Sequence, residues 1–94
     1  MKDTKSRSEA LVRVACIQME PVVGEKDRNI QKSLSMIAKA ADEGANLLVL
    51  PELCNSGYVF RSREEASELA EAVPEGPTTE AWMDAAAKHD LYIV

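Results

Sequence analysis

The chain has few of the residues that build metal sites and disulfide frameworks. Its 94 residues include two cysteines, Cys16 and Cys54, and one histidine, His89. The cysteines form neither a Cys-x-x-Cys pair nor a cluster with histidine, so the sequence predicts no zinc site and no other metal or cofactor. Two cysteines without a secretory signal also do not indicate a disulfide framework, because such frameworks are typical of secreted proteins.

Long apolar runs and positive charge are scarce as well. The longest uncharged apolar run falls far short of the ~18 residues that a membrane span needs. The polar segment at residues 1–10 lacks the apolar centre of a signal peptide. Lysine and arginine number 11 against 16 acids, a net charge of −5, whereas a nucleic acid or an anionic membrane would require a basic surface. We therefore expect a soluble, cytoplasmic protein without a nucleic-acid or membrane partner.

Three short apolar runs predict strands. They lie at residues 14–17, 47–50 and 91–94, and we expect the first to be buried and the second to be buried on both faces. The third run has no turn or helix after it. Because a parallel sheet needs cover on both faces, we expect residues 11–94 to be the N-terminal part of a larger domain. The exposed sheet edge also predicts self-association, so we expect a homo-oligomer.

Three stretches with apolar residues at helical spacing alternate with these strands. They cover about residues 27–43, 62–73 and 78–90, with Thr78 or Thr79 as the expected cap of the last helix. Strands that alternate with helices are typical of the α/β class, with a mostly parallel sheet and right-handed crossovers.

Glu52 is the principal candidate for catalysis. It follows Pro51, which ends the second strand because proline has no N–H to donate. Open α/β sheets bind ligands at the carboxyl ends of their strands, and a partly buried carboxylate at such a site can act as a general base. The other interpretation is an exposed glutamate that caps a loop or pairs with an arginine, and spacing alone leaves both open.

Cys54 and Tyr58 are weaker candidates. No histidine or lysine adjoins Cys54 in sequence, so a small packed residue is favoured over a nucleophile. Tyr58 follows Gly57, whose conformational freedom permits a tight turn over the strand end. The Tyr58 hydroxyl could line a pocket, or it could be the hydrogen-bonded tip of a packed aromatic residue.

Four short sequence segments follow one another along the chain in an order and spacing that are informative together. They are Val14-Ala15-Cys16-Ile17-Gln18-Met19, Asn29 early in the first helix, Leu50-Pro51-Glu52-Leu53 with Gly57-Tyr58, and Gly76-Pro77-Thr78 before the next helix. In this order and spacing, over roughly residues 12–94, the chain resembles the N-terminal portion of the nitrilase superfamily of carbon–nitrogen hydrolases. The resemblance implies an α-β-β-α sandwich, usually paired with a second subunit.

The resemblance also implies an activity. Members of that superfamily use a glutamate, a lysine and a cysteine to hydrolyse a small amide, carbamoyl or nitrile compound through a thioester. It assigns Glu52 the general-base role and places Tyr58 near the substrate. The lysine and the cysteine would lie beyond Val94, so we expect this chain alone to be inactive. The alternative function is a non-catalytic α/β module that binds a partner through its apolar edge.

Overall fold

Residues 11–94 contain three short strands and three helices in the computed structural model, and the polar segment 1–10 lies outside the described residues. The elements are β1 (Val14–Cys16), α1 (Lys26–Asp42), β2 (Leu47–Val49), α2 (Arg63–Leu69), α3 (Pro77–His89) and β3 (Tyr92–Ile93). Every predicted element is therefore present, although α2 is shorter than expected. None of these helices has the length and apolarity to cross a bilayer.

The strands form one parallel sheet in the order β1-β2-β3. Leu47 of β2 pairs with Val14 on one side and with Tyr92 on the other. Parallel neighbours require crossover connections, which α1 supplies between β1 and β2, and the α2–α3 segment between β2 and β3. The carboxyl ends of all three strands consequently lie at one edge of the sheet. The predicted α/β class is confirmed.

One face of the sheet carries the hydrophobic core. Side chains alternate between the two faces of a strand, and Leu48 and Leu50 cluster with Ile37 of α1 and Ala85 of α3. Leu48 and Ile37 are both 0% exposed. Burial of a leucine or isoleucine side chain stabilises a fold by about 1.5–3 kcal/mol relative to leaving it in water, so this face holds α1 and α3 on the sheet.

The opposite face of the sheet is largely uncovered by the described residues. Val14, Val49 and Tyr92 are 53%, 37% and 77% exposed, and Cys16 is exposed as well. The predictions that β1 is buried and that β2 is buried on both faces are therefore wrong, because both packed helices lie on the Leu48 side. Self-association through this apolar surface stays a prediction.

The start of α3 also differs from the sequence-based expectation. Gly76 is the N-cap and Pro77 occupies the first turn, where its missing N–H costs nothing. Neither Thr78 nor Thr79 caps the helix. The Thr78 hydroxyl donates instead to a carboxylate oxygen of Glu71, at 2.7 Å, because the chain before α3 brings that carboxylate over the helix start.

Candidate functional site

Glu52 lies at the carboxyl edge of the sheet. The Leu50 N–H still takes part in the ladder, donating to the Val94 carbonyl oxygen at 2.7 Å, and Pro51 then ends the pairing. The Glu52 side chain that follows is exposed. An exposed carboxylate at this edge is open to a ligand, as the position of sites in open α/β sheets predicts.

A cavity of about 620 Å³ adjoins Glu52. Its wall is mostly apolar and includes Phe60, Leu69, Val73, Trp82 and Val94. Its polar lining residues are Glu52, Asn55, Ser56, Glu71, Thr78 and Thr79. Small-molecule sites combine such an apolar wall with a few polar groups. Within residues 11–94, no three His, Cys, Asp or Glu side chains come together as a metal site would need.

The loop after β2 turns back through two residues of left-handed conformation. Leu53 has φ 53° and Gly57 has φ 82°. The N–H groups of Ser56 and Gly57 donate to the Leu53 carbonyl oxygen at 3.2 and 2.8 Å. A left-handed conformation costs a non-glycine residue about 1–2 kcal/mol, so Leu53 keeps it only because surrounding contacts hold the loop.

Gly57 lets this loop lie against the segment after β1. A Cβ atom at position 57 would lie 2.7 Å from Cγ2 and 3.0 Å from Cα of Val23, which is too close for any other residue. The approach brings the Ser56 carbonyl oxygen within 3.1 Å of the Gly24 N–H. Gly57 therefore makes the tight turn that the sequence predicts.

Four polar residues connect the loop to the helices, and we call them the Glu71 network: Lys26, Glu71 and Thr78, together with Asn55 of the loop itself. The Asn55 amide donates to Thr78 Oγ1 at 3.1 Å and to Glu71 Oε2 at 3.4 Å. The N–H and the hydroxyl of Thr78 donate to the two oxygens of the Glu71 carboxylate, each at 2.7 Å. Lys26 Nζ donates to Glu71 Oε2 at 2.9 Å. The network thus joins α1, the loop after β2 and the start of α3.

The Glu71 carboxylate is ionised although its side chain is only 7% exposed. Burial by itself raises the pKa of Glu71, but hydrogen bonds from Lys26 and Thr78 outweigh burial, and the pKa lies below its ordinary value. Gly76 makes room for this side chain, because a Cβ there would lie 2.7 Å from Glu71 Cβ and 2.5 Å from the Ala72 carbonyl oxygen. Glu71 is therefore a fixed hydrogen-bond acceptor and not a proton donor at neutral pH.

Asn29 ties the same loop to the segment after β1. It is 2% exposed, and its amide nitrogen donates to the carbonyl oxygens of Val22 and Asn55 at 2.8 and 2.9 Å. Its side-chain oxygen accepts the Val22 N–H at 2.9 Å. Asn29 consequently fixes the main chain of Asn55, while the Glu71 network fixes the Asn55 side chain.

Cys54 is a core residue. It is 1% exposed and belongs to the cluster that contains Leu48 and Leu50. Burial raises the pKa of the Cys54 thiol, and a backbone hydrogen bond only partly opposes this effect. Cys54 also belongs to the lining of the cavity beside Glu52. A nucleophilic cysteine needs a lowered pKa and an accessible thiolate, whereas the Cys54 pKa is raised and the residue is 1% exposed, as expected of a small packed residue.

Alkylation with iodoacetamide should separate the two cysteines. Cys16 is exposed and Cys54 is buried, so at neutral pH we expect Cys16 to react at least about tenfold faster, since alkylation requires an accessible thiolate. Mass spectrometry of timed samples measures both rates, and the urea-unfolded chain provides the rates of two accessible thiols. Equal rates in the folded chain would contradict the burial of Cys54.

Tyr58 is separated from the cavity. Its side chain is 59% exposed and does not belong to the cavity wall beside Glu52. The structure therefore does not bring these two predicted site residues into one pocket, and contact between Tyr58 and a substrate stays a prediction.

Glu71 and Lys26 lie near the candidate site, although neither was among the residues predicted there from the sequence. One signal was present, because Glu71 is the only acid in the otherwise apolar stretch Leu69-Ala70-Glu71-Ala72-Val73. A charge in apolar surroundings is costly unless it is paired. Its partner Lys26 lies 45 residues away in sequence, and no local pattern selects it from the other lysines.

Comparison with known proteins identifies a family that this chain matches in sequence. Residues 13–94 match the sequence model of the carbon-nitrogen hydrolase family. A protein named nitrilase from Pyrococcus abyssi is 46% identical over 84 residues, which cover 89% of this chain and 32% of the relative. A Mus musculus omega-amidase is 32% identical over 82 residues, covering 87% of this chain and 28% of the relative. A Bacillus subtilis 2-oxoglutaramate amidase is 30% identical over 82 residues, which cover 86% of this chain and 29% of the relative.

The fold and the site define an α/β protein with a carboxylate at the carboxyl edge of a parallel sheet. The chain belongs to the carbon-nitrogen hydrolase family, the nitrilase superfamily, as the family match over residues 13–94 shows. It spans 28–32% of the length of these three relatives. The predicted resemblance to an N-terminal portion of that superfamily is confirmed.

Proposed function

We propose that the complete protein containing this chain hydrolyses a non-peptide carbon–nitrogen bond in a small amide, carbamoyl or nitrile compound. The observation that carries the proposal is the place of Glu52, an exposed carboxylate that follows β2 and lines a cavity of about 620 Å³. Membership of the carbon-nitrogen hydrolase family supports it. So do the names of the relatives, among which are a nitrilase and two amidases.

In the proposed reaction Glu52 is the general base. It takes the proton of a cysteine thiol as the sulfur attacks the amide carbon. The tetrahedral intermediate then expels ammonia or an amine, which receives that proton from Glu52, and a thioester remains. Water attacks the thioester carbon and gives a proton to Glu52, and the cysteine sulfur then leaves and takes that proton back from Glu52. The acid product is released and the free enzyme is restored.

We assign the cysteine of this mechanism, and the lysine that the family resemblance implies, to sequence outside the 94 residues. The burial of Cys54, which is 1% exposed in the core, and the engagement of Lys26, which donates to Glu71 at 2.9 Å, support this assignment. The greater length of the relatives supports the assignment. Residues 11–94 then form the N-terminal part of the hydrolase domain, and the 94-residue chain alone hydrolyses nothing.

A non-catalytic interaction module is the second candidate. The observation that favours it is the apolar sheet face on which Val14, Val49 and Tyr92 are exposed, since surfaces of this kind mark sites of association. Under this alternative, Glu52 is a surface carboxylate and the cavity beside it accepts no substrate.

Ammonia release by the complete protein distinguishes the two candidates. The assay presents ω-amides, N-carbamoyl amino acids and aliphatic nitriles in parallel, and we expect turnover of at least one class. The 94-residue chain, assayed at the same concentration, should release no ammonia from any of them. A folded complete protein without turnover on the whole panel would favour the interaction module. Equal turnover by the short chain would refute the assignment of the lysine and the cysteine.

A further inference from the structure

We propose that the Glu71 network is a positioning device for Glu52. It holds the loop after β2 so that the Glu52 carboxylate keeps its direction at the sheet edge, while its own members act on Glu52 only through the loop. This inference rests on the proposed role of Glu52 as general base. It adds Thr78, Asn55 and Glu71 as positioning residues of that reaction.

Asn55 is the point at which the loop is held. It lies three residues after Glu52, and three different parts of the chain bind it. Its main-chain carbonyl oxygen accepts from Asn29 of α1 at 2.9 Å, and its side chain donates to Thr78 at the start of α3 and to Glu71 before α3. A displacement of Asn55 is opposed by these hydrogen bonds, which reach it from three parts of the chain.

The backbone between Glu52 and Asn55 shows why such support is needed. Leu53, the residue directly after Glu52, has a left-handed φ of 53°. Non-glycine residues keep this conformation only where their surroundings over-determine it, and such residues cluster at functional sites. If Asn55 were released, Leu53 could relax to an ordinary conformation, and the direction of the Glu52 side chain would change with it.

The Thr78 hydroxyl is the junction of the network. It donates to Glu71 Oε2 at 2.7 Å and accepts from the Asn55 amide at 3.1 Å, and Thr78 is 5% exposed. Lys26 holds the Glu71 carboxylate from the other side at 2.9 Å. An ion pair buried to this degree adds little net stability compared with apolar residues of the same shape. The positioning role depends instead on geometry. Glu71 and Thr78 are held where each accepts a hydrogen bond from the Asn55 amide of the loop.

Two substitutions at Thr78 in the complete enzyme test the proposal. Thr78→Val keeps the shape and removes the junction, whereas Thr78→Ser keeps the hydroxyl. We expect Thr78→Val to lower kcat by about 10- to 100-fold, because a misplaced catalytic group loses this much rate, with KM changed by less than about threefold. Thr78→Ser should restore most of the lost kcat. Asn55→Ala should behave like Thr78→Val, and it replaces that variant if Thr78→Val does not fold.

A matched variant separates positioning from stability. Ile37 is 0% exposed in the core and takes no part in the network, so Ile37→Val should lower the melting temperature and leave kcat unchanged. If Thr78→Val and Asn55→Ala lower only the melting temperature, or raise KM at constant kcat, the positioning role is refuted. Glu52→Gln tests the proposed function separately. The positioning role would be refuted, and the proposed function kept, if the wild type is active, Glu52→Gln is inactive and Thr78→Val is fully active.

Discussion

Glu52→Gln in the complete protein should lower kcat by about 10²–10⁴-fold, the usual contribution of a general base. The glutamine side chain keeps the size of glutamate but cannot accept the proton of the nucleophile. Because the Glu52 side chain is exposed, the substitution should leave the melting temperature almost unchanged. Ammonia release at saturating substrate measures the first quantity, and thermal unfolding followed by circular dichroism measures the second.

Glu43→Gln provides the control for this experiment. Glu43 is also exposed and lies at the end of α1, so its substitution changes the net charge equally without touching the sheet edge. Full turnover by Glu52→Gln would identify Glu52 as a strand-end carboxylate without a catalytic role. Equal losses in both variants would point to the total charge of the protein instead.

Leu48→Ala should destabilise the 94-residue chain by about 2–5 kcal/mol. Leu48 is the central residue of the central strand, is 0% exposed and contacts the core between α1 and α3. Its truncation leaves a cavity that the packed helices cannot fill. Urea denaturation followed by circular dichroism gives the free energy of unfolding for the wild type and the variant.

Val49→Ala is the paired variant on the opposite face. Val49 is 37% exposed, and no helix of the described residues packs on its side of the sheet, so we expect a cost below about 1 kcal/mol. Comparable losses for Leu48→Ala and Val49→Ala would mean that β2 is buried on both faces in solution, which would contradict the packing of both helices on the Leu48 side.

The sequence predicted the elements well and their burial less well. The 17 residues of α1 carry a clear apolar stripe between two short apolar runs, and this pattern implies a crossover helix joining parallel strands. The runs at β1 and β2 are apolar on both faces, so sequence alone could not show that α1 and α3 would both cover the Leu48 side. Burial depends on which surfaces meet, and the apolar character of Val14 and Val49 is the same whether a partner covers them or not.

The candidate site, like the fold, could be predicted from the sequence only in part. Pro51 marks the strand end, and the sequence alone was enough to place the carboxylate that follows it at the carboxyl edge of the sheet. Tyr58 was expected near the substrate. It lies six residues after Glu52 in a loop that turns, and the sequence does not specify where a side chain in such a loop points. Cys54 was correctly expected to be packed, since no basic residue adjoins it in sequence.

What the sequence by itself determined is the order of strands and helices, the class of fold and the position of Glu52, because periodicity and proline act over a few adjacent residues. Tertiary structure alone decided the partners of Thr78 and Glu71. Thr78 could have capped α3, yet it binds Glu71, seven residues before it, and Glu71 in turn binds Lys26, 45 residues before it. A buried carboxylate binds the donors that folding brings within about 3 Å of it, and that proximity exists only after the helices have packed on the sheet.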